Sequence, residues 1–250
     1  MGNKSAIEWT NSTWNVITGC DKVSPGCKNC YAERVATRLQ KMRVKKYSNG
    51  FDLRLHPEVL DYPLKLKESK MIFVNSMSDL FHEKLSFNFI RQIFNIMEKA
   101  NWHKYQILTK RSKRLKEFSK KYGKFPDNVW IGVSVESSFF KNRIEDLKTV
   151  NSKIHFLSLE PLLGSLGNID LDDIEWVIAG GESGPNFREC KIEWLREIRD
   201  QCVIQDVPFF FKQWGGLTPK SGGRTLDSKI WDEFPKETDS KIKISLMNKL

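Results

Sequence analysis

Cys20, Cys27 and Cys30 stand within eleven residues, in the run Gly19-Cys-Asp-Lys-Val-Ser-Pro-Gly-Cys-Lys-Asn-Cys-Tyr31. This C-x6-C-x2-C spacing offers three thiolates from one short loop. A metal or iron-sulfur cluster held there keeps one coordination position free of cysteine, and an open position means chemistry. Gly19, Pro25 and Gly26 supply turn geometry around the first two cysteines, while Cys27 and Cys30, three apart, share one face as the chain enters a helix. That helix is expected from about Asn29 through Arg43, with Tyr31, Val35, Leu39 and Met42 as its apolar stripe. Its N-terminal amides would partly neutralise a cluster's negative charge. Five cysteines in 250 residues, behind an N-terminus without a hydrophobic signal, argue against a disulfide framework. The chain reads as cytoplasmic, where clustered cysteines are metal-binding or redox.

The elements that must position this loop alternate along the chain. Strands are expected at Asn15 to Thr18, Met71 to Asn75, Tyr105 to Thr109, Val129 to Val135, Ile154 to Leu159, Trp176 to Ala179 and Pro208 to Phe211. Helices are expected after Cys30 and at Phe87 to Lys99, Ser112 to Lys121, Phe139 to Thr149 and Ile192 to Gln205. Repeated β-then-α units, with strands apolar on both faces, imply an α/β fold with a parallel sheet covered by helices. Seven such strands suit a complete or partial TIM-type barrel, with a doubly wound sheet as the alternative. Residues 1-250 read as one domain, with an insertion at 49-66 and a C-terminal extension at 215-250. No apolar run approaches the ~20 residues that span a bilayer. A net charge of +10, concentrated in Lys41 to Lys46, Lys110 to Lys124 and Lys236 to Lys249, favours a polyanionic partner such as nucleic acid or equally a set of solvated helix faces.

In parallel α/β folds the site forms just beyond the C-terminal ends of the strands. Those positions are polar here: Asn75, Ser76, Ser78 and Asp79; Lys110; Ser134 and Glu136; Glu160; Gly180, Gly181 and Glu182; Lys212. They are expected to share a pocket beneath the cysteine loop. Glu182, on a glycine-rich loop, is placed to grip an ammonium or a ribose. Lys212 needs an anionic partner, either Glu160 or a ligand, and Glu136 and Glu160 either bind ribose hydroxyls or neutralise Lys110 and Lys212. Trp9, Trp14 and Trp214 either lid the site or pack in the core. Cys202 reads as a buried thiol, and Cys190 as a buried thiol or as the fourth ligand of a closed zinc site. The four histidines show no metal-binding spacing, and no Walker loop, nucleophile elbow or H-E-x-x-H motif is present.

A three-cysteine loop after the first strand of such a barrel resembles the radical S-adenosylmethionine (radical-SAM) enzymes, although the first gap is six residues where three is usual there. The resemblance implies a [4Fe-4S] cluster on Cys20, Cys27 and Cys30, and S-adenosylmethionine positioned by Tyr31, Asn75, Ser76, Ser78, Asp79, Ser134, Glu136, Gly180, Gly181 and Glu182. Lys110, Glu160 and Lys212 would then be the catalytic side chains facing substrate. It also implies an electron donor such as flavodoxin or ferredoxin and hydrogen abstraction by a 5'-deoxyadenosyl radical. Five motifs in order (Ile7 to Asn15, the cysteine loop with Tyr31-Ala-Glu33, Gly180 to Gly184, Phe210 to Gly216, and Gly223 to Asp227 with Trp231-Asp232) resemble a bacterial and bacteriophage three-cysteine family of unknown function. That likeness, with the basic charge, points to modification or repair of nucleic acid or nucleotide. Two other classes fit the residues: a zinc-bearing nucleic-acid-binding module without catalysis, and an iron-sulfur sensor or electron-transfer protein.

Overall fold

β-Branched and aromatic runs become strands buried on both faces, and the amphipathic runs become helices that cover one of those faces. The computed structural model describes residues 5-236 and Ile242. In chain order its elements are β1 (Ser12–Trp14), β2 (Ile17–Thr18), α1 (Tyr31–Lys41), β3 (Arg54–Leu55), β4 (Met71–Val74), α2 (Phe87–Lys99), β5 (Lys104–Thr109) and α3 (Ser112–Tyr122). Then follow β6 (Val129–Ser134), α4 (Asn142–Lys148), β7 (Ile154–Leu159), β8 (Trp176–Gly180), α5 (Ile192–Ile204), β9 (Phe209–Gln213), β10 (Thr225–Leu226) and β11 (Lys229–Ile230). Seven strands form one parallel sheet in the order β1-β4-β5-β6-β7-β8-β9. Each strand is added beside the last, so the crossovers turn the same way and put the helices on one side. The sheet curls into a half-barrel, and among the described residues no ladder joins β1 to β9. The expected TIM-type architecture is therefore present in its partial form.

Two expected elements move. The sheet strand at the N-terminus is Ser12–Trp14, paired with β4, whereas Ile17–Thr18 pairs antiparallel with Arg54–Leu55 of the insertion. Side-chain amides explain the shift: Asn15 Oδ1 accepts from Ser76 Oγ and from the Met77 amide, and Asn75 Oδ1 accepts from the Ile17 amide. These bonds replace ladder bonds and turn the chain out of the sheet. The helix expected from Phe139 starts as a 3-10 turn at Ser138–Phe140 and is α-helical only over Asn142–Lys148.

Alternation divides the strand side chains into two layers. Ile72, Ile107, Ile131, Val133, Leu157 and Phe209 face the helices, where they meet Phe94, Phe118, Leu195 and Ile198. The lumen is filled instead by Trp9, Phe73, Trp130, Phe156, Trp176, Phe210 and Phe234. Trp176 lies at their centre, with ring centroids 6.4 Å from Trp9, 6.0 Å from Trp130, 5.9 Å from Phe156, 6.1 Å from Phe210 and 5.2 Å from Phe234. Its indole N–H donates to the Glu233 carbonyl at 2.8 Å. Trp9 thus belongs to the lumen plug and Trp14 to the helix-facing layer, and neither lids a site. The segment after β11 lies along β9, with Phe211 N–H donating to the Trp231 carbonyl and Glu233 N–H to the Phe209 carbonyl, which covers an otherwise bare edge. The lysines expected beyond Lys236, up to Lys249, lie outside the described residues. Among the described residues no helix is long and apolar enough to cross a membrane.

Trp176→Ala is expected to cost about 3-5 kcal/mol, because it empties a fully buried aromatic site and removes the donor to Glu233. Urea unfolding checks this, and Trp176→Phe should lose clearly less.

Candidate functional site

Above the aromatic plug the inward-facing residues change character. The register sets Ser134 beside Ser158, Ser158 beside Ile178 and Ile178 beside Phe210. The next inward positions, Glu136, Glu160, Gly180 and Lys212, therefore gather at the C-terminal end with Lys110 of the neighbouring strand end. Lys212 Nζ lies 3.2 Å from Glu160 Oε1, and Ser158 Oγ donates to Glu160 Oε2 at 3.3 Å. Gly180 makes room for this pair, since a Cβ there would stand 2.9 Å from Glu160 Oε1. Of the two partners open to Lys212, the structure thus shows Glu160. Glu136 is fully buried and pairs with Arg143 Nη1 at 2.8 Å, not with either lysine. Burial would raise its carboxyl, but Lys110, Ser24 and Arg143 more than offset this and hold it below the usual carboxylate range. Among the described residues no carboxylate comes within ion-pair distance of Lys110, whose positive charge acts on Glu136 from further away.

The cysteine loop lies across this polar end. At its base, Gly19 has φ 84° and a Cβ there would fall 2.1 Å from the Asp52 carbonyl oxygen, so only glycine fits against the insertion. Cys20 N–H donates to the Phe51 carbonyl at 3.2 Å, and Ser78 Oγ donates to the Gly19 carbonyl at 2.7 Å. Pro25 starts a 3-10 turn ending at Cys27, and α1 begins directly after Cys30. From there the loop reaches three strand ends. The Gly26 amide donates to Glu136 at 3.4 Å, Asn29 Nδ2 to Glu182 at 2.9 Å, and Arg34 Nη2 to the Ser183 carbonyl at 2.7 Å. The Tyr31 hydroxyl donates to the Ser76 carbonyl. Although about half of Tyr31 is exposed, its hydroxyl end is turned inward, and burial together with Cys30 and Glu160 pushes the phenol up.

Several residues expected to touch a cofactor are committed to holding this frame. Glu182 accepts from Asn29 and from the Arg188 amide, Nε and Nη2. Burial works against its ionisation, yet those Arg188 and Asn29 bonds keep it below the usual carboxylate range. Asp79 accepts from Thr109 Oγ1 at 2.7 and 2.9 Å, from the Lys110 amide and from Arg111 Nη1 at 3.1 Å. Ser76 and Ser78 bond to Asn15 and Gly19. The Ser134 carbonyl accepts from Arg143. Asn75, with φ 58°, uses its Oδ1 on Ile17 while its buried Nδ2 has no partner. Gly181 packs against the Trp214 carbonyl and Cys190. Trp214 is partly buried in the helix-facing cluster and donates to the Thr225 carbonyl. Arg111, Arg143, Arg188 and Asn29 carry much of the arrangement without having been assigned a role from sequence. The available signal was the buried carboxylates, each of which needs a cation.

All five cysteines are free; the three of the loop are partly exposed, and Cys190 and Cys202 are buried. Burial, with Asp79 nearby, pushes the Cys20 thiol up to about 12 against the pull of Arg111, whose Nη1 lies 3.4 Å from its sulfur. Cys190 sits in the helix-facing apolar cluster, and burial pushes it up to about 12, as it does Cys202. Among the described residues no three His, Cys, Asp or Glu side chains converge on a point where one metal ion would be held. Three free, partly exposed cysteines on one loop are the kind of donor set that a cluster with one cysteine-free position takes.

Residues 4-235 match a family described as protein of unknown function (DUF5131). The chain belongs to that family. No curated protein matches its sequence. Among solved structures it is similar to spore photoproduct lyase complexed with dinucleoside spore photoproduct, at 12% identity and a TM-score of 0.38 over 94% of this chain and 71% of that one. It is likewise similar to a doubly substituted variant of that lyase with bound AdoMet and the same dinucleoside, at 11% identity and a TM-score of 0.41 over 94% of this chain and 72% of that one.

Two outcomes follow from the charges. In metal-free protein at pH 8, iodoacetamide should alkylate Cys20, Cys190 and Cys202 at least roughly a hundredfold more slowly than an ordinary thiol, because little thiolate is present; peptide mass spectrometry reads the rates. Glu136 and Glu182 have depressed pKa values, so their stabilisation is present above the ordinary carboxylate range of about 4.3 and is lost as pH falls through and below it. A Glu136→Gln/Glu182→Gln protein should therefore be less stable at pH 7 and show a shallower fall in Tm on acidification.

Proposed function

We propose that this protein is a radical-SAM-like iron-sulfur enzyme acting on an anionic substrate of the nucleic acid or nucleotide class. The observation that carries the reading is the seating of a loop with three free cysteines across the polar end of a parallel half-barrel. Cys20, Cys27 and Cys30 would hold a [4Fe-4S] cluster. When bound, such a cluster supplies the electron for reductive cleavage of S-adenosylmethionine and so the means of hydrogen abstraction.

The chain's own residues would do the rest. Lys110, the strand-end cation without a close carboxylate, supplies the charge that a phosphate or carboxylate needs, and a total of +10 draws polyanions to the surface. The Glu160–Lys212 pair, part-exposed beneath the loop, offers both a donor and an acceptor to a ligand. Asn75 Nδ2 is a further unused donor. Glu136 and Glu182 fix the cysteine loop over these groups, and the aromatic lumen below them keeps water from entering the site from the other end.

Anaerobic reconstitution tests this directly. The wild type should bind about four irons and four sulfides per chain, and cysteine-to-alanine changes at Cys20, Cys27 or Cys30 should abolish most of that while Cys190→Ser should not. Reduction with S-adenosylmethionine present should yield 5'-deoxyadenosine. A colourless zinc protein would establish the binding-module reading instead, and a brown protein that makes no 5'-deoxyadenosine the sensor reading. Lys110→Met should weaken binding of a single-stranded oligonucleotide and reduce the salt dependence of its Kd by about one phosphate contact.

A further inference from the structure

Arg111 occupies an unusual place for a cation. It follows β5, is 6% exposed, and touches the first cysteine of the loop. Its donors can be counted. Nε bonds Glu83 at 2.8 Å, one Nη1 proton serves Asp79 at 3.1 Å and the other Cys20 Sγ at 3.4 Å, and Nη2 bonds the Asp21 carbonyl at 3.1 Å. The residue is also fixed from behind. Its amide donates to Thr109 Oγ1 at 2.9 Å, and that hydroxyl in turn donates to both oxygens of Asp79. Around this group stand His82, which contacts Asp21 at 3.1 Å, and Lys84, which lies 3.6 Å from the same carboxylate. By contrast, the Cys27 sulfur contacts the neutral Ser24 hydroxyl at 3.9 Å.

We infer that Arg111 is a positioning residue that donates a hydrogen bond to the Cys20 sulfur of the cluster and raises the cluster's reduction potential. The inference rests on the cluster reading above. A donor to a ligand sulfur stabilises the added electron of the reduced state, and hydrogen bonds to the sulfurs are among the main controls of cluster potential. Asp79 and Glu83 already balance the guanidinium charge, so its long-range field is largely cancelled. What acts on the cluster is the short N–H to sulfur bond, which requires the reach and fork of arginine and not merely a positive charge.

The test is an anaerobic one-electron titration with dithionite, followed by EPR, on wild type, Arg111→Lys and Arg111→Gln. The expected result is a more negative midpoint potential in both variants at equal iron content, with the lysine variant close to the glutamine one. Fully loaded variants that keep the wild-type potential, or a lysine variant indistinguishable from wild type, would overturn the inference. Should the variants fail to fold or load, wild-type protein labelled with 15N-arginine decides: a 15N coupling to the reduced cluster in pulsed EPR upholds the bond, and its absence overturns it. A wild type that assembles no iron-sulfur cluster removes the function proposed above and this inference with it, a result that iron and sulfide analysis separates from an unchanged potential.

Discussion

Charge neutrality at the C-terminal ends of the strands is the constraint on which the rest of the site depends. Four carboxylates sit there in little or no water, and each is matched: Asp79 with Arg111, Glu136 with Arg143, Glu160 with Lys212, Glu182 with Arg188. Taking an ion out of water costs several kcal/mol, so an unmatched carboxylate at these positions would protonate or force the strand end apart. The pairs therefore dictate which lysines and arginines are available for anything else. With Arg143 on Glu136 and Arg188 on Glu182, Lys110 keeps no carboxylate within ion-pair distance among the described residues, while its charge still acts on Glu136.

The same pairs hold the cysteine loop. Glu136 and Glu182 each present one face to an arginine and another to the loop, through the Gly26 amide and Asn29. A carboxylate kept ionised by its arginine is a stronger acceptor than a neutral one, so the loop is tied by charge-assisted bonds. The thiols are thereby presented over the lumen, Cys20 in contact with Arg111 and the Asp21 carbonyl and Cys27 with the Ser24 hydroxyl.

Much of this was legible in the sequence, and the exceptions share a cause. Alternating apolar runs gave six of the seven sheet strands to within two residues, and the polar strand ends do gather at one end of the sheet. The first strand was misplaced because Asn15 and Asn75 satisfy backbone groups with side-chain amides, a substitution that no hydrophobic pattern reveals. Seven strands suggested a barrel, but whether β1 meets β9 is decided by long-range packing, here the aromatic lumen. The three cysteines stood out by spacing alone. Their supports did not, because Arg111 is bonded to residues some ninety positions away and Arg188 looks like any surface arginine until Glu182 is found buried beside it. Glu182 itself, read as a ligand-gripping carboxylate, is engaged by its neighbours, a role that spacing could not separate from binding.

The meeting of Trp9 and Phe234 on Trp176 has a consequence for how the chain is made. The lumen plug draws on opposite ends of the described chain, so it cannot close until the last strand and the segment beyond it have left the ribosome. The cysteine loop is synthesised early, yet two of its anchors, Glu182 and Ser183, come late. Such long-range closure makes for slow folding. For that interval the three thiols are presented on an incomplete scaffold, so the order in which the loop is anchored and the lumen fills is a property of biosynthesis as much as of structure.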